Sequence, residues 1–140
     1  MNPDQLNYFF INDGLATDKA ITRYYQRRQT FLNQCTTLTI LAGVTIPFSQ
    51  HNPWLYADVN LYQDPNVLFF TGLNQLDVAL IFDPKDKKVQ LFLPKVDLNK
   101  VFWEGHSLAY DASTTPNLRS FFKFDSIHCI DDLFNYCHQR

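Results

Sequence analysis

The chain has 140 residues, with 12 Lys and Arg against 14 Asp and Glu, a formal net charge of −2, and 13 Phe and 7 Tyr within a hydrophobic share of 46%. That length fits one domain over residues 1–140, and a balance so close to neutral excludes partners recruited by net field, nucleic acid and anionic membrane among them. No apolar run approaches the ~20 residues of a membrane span, the amino terminus lacks the basic region of a secretory signal, and Cys35, Cys129 and Cys137 form no secreted framework, so a reduced, cytoplasmic setting is expected.

From Thr17 to Cys35 the apolar residues Ile21, Tyr24, Tyr25, Phe31, Leu32 and Cys35 recur at helical spacing, with Lys19, Arg23, Gln26, Arg27 and Gln34 opposite. Thr17 or Asp18 can cap the first turn. The basic cluster Arg23, Arg27, Arg28 reads as a solvated face of this helix. Leu38 to Ala42 is nearly continuous in apolar and β-branched residues, the pattern of a strand covered on both faces. Leu61 to Leu73 is an aromatic run set up by a turn at Tyr62, Gln63 and Asp64 and closed by Thr71-Gly72. Val78 to Phe82 reads as a second covered strand. The polar turn Asp83 to Lys88 then leads to a third strand, Val89 to Leu93, so that the two pair as an antiparallel hairpin. Pro94 ends that strand, and a helix is expected from Asp97 to a stop at Gly105. A short helix over Pro116 to Phe122, a strand over Ser126 to Ile130 and a terminal helix from Asp131 to His138 complete the chain. Asp131 and Asp132 suit the amino terminus of that last helix. Helices interleaved with strands, one pair antiparallel, give an α/β domain with a mixed sheet covered on both faces.

Chemistry is sparse. The glycines Gly14, Gly43, Gly72 and Gly105 lie too far apart for a phosphate loop, and no serine stands in a Gly-x-Ser-x-Gly elbow. His128-Cys129 with Cys137-His138 is the one metal-like grouping. Zinc needs all four to converge, and two buried thiols near each other are the simpler reading. His51 and His106 fall in loops and read as surface residues. No catalytic residue and no metal ligand is assigned.

The order of motifs is more telling than any one of them: Arg27-Arg28 on a helix, then Gln63-Asp64, Phe69 and Thr71-Gly72, then the hairpin, then Trp103-Glu104-Gly105. From Arg27 to Leu133 this resembles the N-terminal domain of the aminopeptidase P and prolidase family, creatinase-type metallopeptidases that cut next to proline. The chain departs from the family pattern at Tyr62, where an arginine is usual, and at Pro65 and Val67. The upstream acidic position is met by Asp58 only with a small shift. The resemblance implies a three-layer domain with a ribonuclease-H-like sheet. It also implies a parent enzyme with two divalent metals, usually manganese, held by two aspartates, a histidine and two glutamates in a C-terminal catalytic domain. This sequence has one glutamate, Glu104, so the set cannot be assembled from it, and the chain alone is expected to be non-catalytic.

The resemblance implies partners as well: the chain's own C-terminal catalytic domain, neighbouring subunits of a homo-oligomer, and a proline-containing peptide at the rim of an active site. Trp103, Tyr62 and Asp58 are the candidates for that rim or interface. Trp103 reads equally well as a core residue on the apolar side of its helix. Arg27, Arg28, Gln63, Asp64, Phe69, Thr71, Gly72 and Gly105 are the structural residues of the motif. A second reading is an interaction module of a catalytically inactive peptidase-like protein, as in a histone chaperone subunit that carries the same domain type.

Overall fold

The computed structural model describes residues 18–43, 64–73, 75–95, 109–112 and 115–139. Within them the chain runs through α1 (Asp18–Gln34), β1 (Thr39–Ala42), α2 (Pro65–Thr71), β2 (Ala79–Asp83) and β3 (Lys88–Leu93). It continues with α3 (Thr115–Phe122), β4 (Ser126–Cys129), a 3-10 turn (Ile130–Asp132) and α4 (Leu133–His138). The helix expected over Asp97 to Gly105 lies outside the described residues.

The strands lie in chain order, β1-β2-β3-β4. β1 and β2 are antiparallel with Ile40 opposite Ile81, and β2 and β3 form the expected hairpin with Leu80 opposite Leu91. Asp83 shapes the hairpin tip: its Oδ1 accepts from the backbone N–H of Lys85 at 3.1 Å and of Asp86 at 3.3 Å. Lys87 completes the turn at φ 54°. β3 and β4 are parallel, with Leu91 beside Ile127. A parallel pair needs a crossover, and α3 lies on it.

Side chains alternate along a strand, so the sheet has two lined faces. On the first, Leu80, Phe82, Val89, Leu91 and Ile127 pack against Tyr24 and Leu32 of α1, Val67 and Phe70 of α2, and Leu118 and Phe122 of α3. On the second, Ala79, Ile81 and Phe92 pack with Leu38, Ile130, Leu133, Tyr136 and Cys137. The 3-10 turn and α4 therefore make the third layer, and the sheet is covered on both faces as the sequence implies. Phe82 and Phe92 are fully enclosed, each stabilising the fold by about 2–3 kcal/mol. Phe31, Phe70 and Phe82 form a three-ring cluster, with centroids 4.8 Å (Phe31 to Phe82), 5.1 Å (Phe70 to Phe82) and 5.3 Å (Phe31 to Phe70) apart. The two contacts to Phe82 are edge-to-face and the Phe31–Phe70 pair is tilted; rings at these distances fasten α1 and α2 to β2.

Three local expectations are corrected. β1 is not covered on both faces: Leu41 packs on the first cluster, but Ile40 is 45% exposed and Ala42 is exposed. The stretch 65–71 is a helix rather than a turn and aromatic run. α4 starts at Leu133 rather than Asp131: the 3-10 turn carries both aspartates into it, with Asp132 at the N-cap position of α4 but without a side-chain capping hydrogen bond, and Asp131 pairs with exposed Lys95 at 3.2 Å.

Candidate functional site

The family-motif residues assemble around α2. Asp64 is its N-cap, with Oδ1 accepting from the N–H of Asn66 at 2.9 Å and of Val67 at 3.3 Å. Pro65 follows at the first helical position, where a missing N–H costs nothing. At the other end Thr71 Oγ1 donates to the Val67 carbonyl at 2.7 Å and accepts from Leu73 N–H at 3.0 Å. Gly72 takes the left-handed conformation, φ 72°, while its N–H closes onto the Leu68 carbonyl at 2.8 Å. Asp64, Thr71 and Gly72 are thus the terminators of a seven-residue helix too short to persist without them.

The paired arginines reach the same helix from α1. Arg28 donates from one guanidinium nitrogen to the Phe70 carbonyl at 2.8 Å and from the other to the Phe122 carbonyl at 2.7 Å. These carbonyls lie in the last turns of α2 and α3, where helices leave acceptors unfilled and favour a cation. The guanidinium also lies 3.9 Å from the centre of the Phe124 ring. Arg28 is only 2% exposed, which corrects its placement on a solvated face. Burial pushes it down to about 10, with Tyr25 and Asp125 pulling the other way; it stays charged at neutral pH. Its Nε has no hydrogen-bond partner. Arg27, half-buried, donates to the Phe69 carbonyl at 3.1 Å and covers the Phe69 ring at 4.4 Å.

Between α1 and α2 opens a cleft of about 360 Å³ lined by Arg23, Gln26, Arg27, Phe31, Phe69 and Phe70 among others. It is cationic and aromatic, and among the described residues no carboxylate, histidine or cysteine lines it. Arg27 and Phe69 meet here, whereas Asp58, Tyr62, Gln63, Trp103 and Gly105 lie outside the described residues.

A polar chain missed by the sequence reading runs beneath α4 on the second sheet face. His128 Nε2 lies 2.9 Å from Ser126 Oγ and 2.8 Å from Gln90 Oε1, Gln90 Nε2 donates to the Tyr136 hydroxyl, and that hydroxyl donates to Asp83 Oδ2 at 3.4 Å. The carboxylate accepts only, which fixes the direction of every donor back along the chain and puts the proton on His128 Nε2. A nitrogen already donating cannot take the Ser126 proton, so this is no nucleophile–base pair. Burial holds His128 below the usual histidine range, with Asp132 opposing. The available signal was Gln90, a polar residue inside the apolar strand Val89 to Leu93.

All three cysteines are free. Cys137 packs against the second face, while buried Cys129 alternates with His128 along β4 and so points to the first. Among the described residues no three His, Cys, Asp or Glu side chains come together as a metal site. With a single glutamate in the whole sequence, this chain does not fit a two-metal carboxylate cage.

No curated protein sequence matches the chain. Among solved structures, Escherichia coli aminopeptidase P in its low-pH form is 17% identical with a TM-score of 0.65, over 85% of this chain and 26% of that one. The same enzyme with the inhibitor Pro-Leu gives 18% and 0.65 over the same shares. Icp55 from Saccharomyces cerevisiae gives 21% and 0.60, over 85% of this chain and 27% of that one. These likenesses establish a shared fold, and the chain spans about a quarter of the length of those proteins. The sequence profile of the family described as "Aminopeptidase P, N-terminal domain" matches residues 24–140. A match of that extent, on a fold whose motif residues build one capped helix and its arginine clasp, places the chain in the aminopeptidase P N-terminal domain family.

Proposed function

We propose that the chain serves as the non-catalytic N-terminal domain of a metal-dependent Xaa-Pro aminopeptidase. The parent reaction is removal of the N-terminal residue from peptides with proline in second position. In this reading the domain packs against neighbouring subunits and its own catalytic domain. It lends Trp103, and with it Tyr62 and Asp58, to the rim of an active site in a cytoplasmic enzyme. Two divalent cations, manganese in this reading, belong to the catalytic domain. The family match over residues 24–140 carries the proposal. The solitary glutamate supports the division of labour, since the five-ligand set needs two, and a proline dipeptide inhibits the Escherichia coli relative.

The test is a peptidase assay with manganese and an Xaa-Pro peptide. The chain alone should show no turnover, and a two-domain protein that joins it to a catalytic domain should cleave. In that protein Trp103→Ala should impair cleavage while leaving the melting temperature of the isolated domain in place. Metal-dependent turnover by the 140-residue chain itself would overturn the proposal.

A further inference from the structure

The two layers that cover the sheet are unequal. On the first face α1, α2 and α3 all bury side chains, with Tyr24, Leu32, Val67, Phe70, Leu118 and Phe122 in one cluster. On the second face α4 has six residues, none of them buried, and Asp132 at its N-cap makes no side-chain capping bond. A helix that short does not hold itself. It rests on the partly buried Leu133, Tyr136 and Cys137 and on the hydrogen bonds of the Tyr136 hydroxyl with Gln90 and Asp83. His128 stands in the middle of this contact. Its ring centre lies 5.1 Å from that of Phe92 and 5.9 Å from that of Tyr136, and its Nε2 reaches Gln90.

We propose that α4 is an acid-released cover: a second proton on His128, taken at Nδ1, loosens α4 from the sheet while the sheet and its first layer stay folded. Nε2 already donates to Gln90, so the added charge finds no acceptor in the existing chain. The surrounding groups give it little support. The Asp83 carboxylate of β2 accepts from Tyr136, and β3 offers only uncharged Gln90 and Phe92. In the 3-10 turn Asp131 pairs with exposed Lys95. Exposed Asp132 favours the charged ring, but burial outweighs it. On α4, Tyr136 and Cys137 pack against the sheet, and exposed His138 lies in the last turn. A positive charge there steadies a helix, so protonation of His138 acts against release. Burial holds His128 below its ordinary value while α4 is docked, and release restores ~6.5. The open form therefore binds the proton first, and release is favoured as pH falls through that value. Local opening belongs to the least stable layer, and here it uncovers Ala79, Ile81 and Phe92. The inference stands on the fold and is independent of the peptidase reading.

Amide hydrogen exchange of the 140-residue chain, followed by NMR from about pH 7.5 to about 5.5, above the ~3.9 of an ordinary aspartate, tests it. Each rate is divided by that of an unstructured chain at the same pH. The expected result is a loss of protection over α4 as pH falls, with β2 and β3 unchanged. His128→Gln keeps an N–H for Gln90 and cannot titrate, so its α4 protection should not depend on pH. Asp132→Asn removes the carboxylate that favours the charged ring and should move the loss to lower pH. Protection that falls in all elements together, or a loss over α4 that persists in His128→Gln, overturns the inference. So does α4 protection that is absent or constant across the range, or a midpoint that Asp132→Asn leaves in place or raises.

Discussion

Replacing Arg28 offers the sharpest test of how this fold is held. Arg28→Met keeps the volume of the side chain and strands two buried carbonyls, those of Phe70 and Phe122. Each loses its donor at a cost of about 1–3 kcal/mol, and losing the cation over Phe124 removes about 1 kcal/mol more. Against this, methionine needs no dehydration of a charge. The fall of Arg28 to about 10 corresponds to roughly 3 kcal/mol of unfavourable burial. Taking about 2 kcal/mol per carbonyl, the balance is a loss of about 2 kcal/mol, well resolved in a domain whose total stability is of order 5–15 kcal/mol. Arg28→Lys is the informative companion. Lysine keeps the buried charge but is a point donor with no planar fork for two separated acceptors. It should therefore lose about 3 kcal/mol, at least as much as the uncharged variant. Urea unfolding followed by circular dichroism, with an unchanged dependence on denaturant, measures both. A lysine variant close to the parent, or a methionine variant without effect, would refute the account of Arg28 as a two-pronged clasp.

Three further outcomes follow from the same geometry. Asp64→Ala removes the acceptor for the N–H groups of Asn66 and Val67 and should cost about 1 kcal/mol, read as a lower urea midpoint. Lys87→Gly relieves a left-handed residue at φ 54° in the hairpin tip; strain of roughly 1–2 kcal/mol is released against about 0.5–1 kcal/mol of added chain entropy, so the urea midpoint should rise slightly. His128 is held below its ordinary value by burial, so the unfolded chain binds its proton first as pH falls. The stability it contributes is complete above the unfolded value of ~6.5 and is lost as pH drops through the folded value. Thermal unfolding measured stepwise from neutral to mildly acid pH should show that decline, and His128→Gln should flatten it.

The hairpin was legible in the sequence because its strands are buried throughout and flank a turn with Pro84 and Asp83 in suitable places. α1 and α3 were legible because an apolar stripe at helical spacing is a local property. α2 was not recognised, although Asp64-Pro65 at one end and Thr71-Gly72 at the other are helix-ending residues; its aromatic content outweighed its caps. β1 shows a different limit: an apolar run says that burial is available, and only the other layers decide which face receives it. Arg28 is the instructive case within the site. It occupies a position in the stripe Ile21, Tyr24, Arg28, Leu32, four residues from both Tyr24 and Leu32, so its spacing marked it as inward. What spacing could not provide was the pair of helix carbonyls, 42 and 94 residues away, that makes an inward charge tolerable. Trp103, Tyr62, Asp58, Gln63 and Gly105 carry the rest of the motif and lie beyond the described residues.

Asp83 has a practical meaning for anyone who engineers this domain. Exposed loop tips are usually the most permissive points for grafting a tag or a foreign segment, and the lysines from Lys85 to Lys88 mark this tip as one. Yet one oxygen of Asp83 organises the bend, and the other receives Tyr136 from a helix 53 residues further on. An insertion that shifts this carboxylate unseats the final helix as well as the bend, so this exposed corner is a poor one to lengthen.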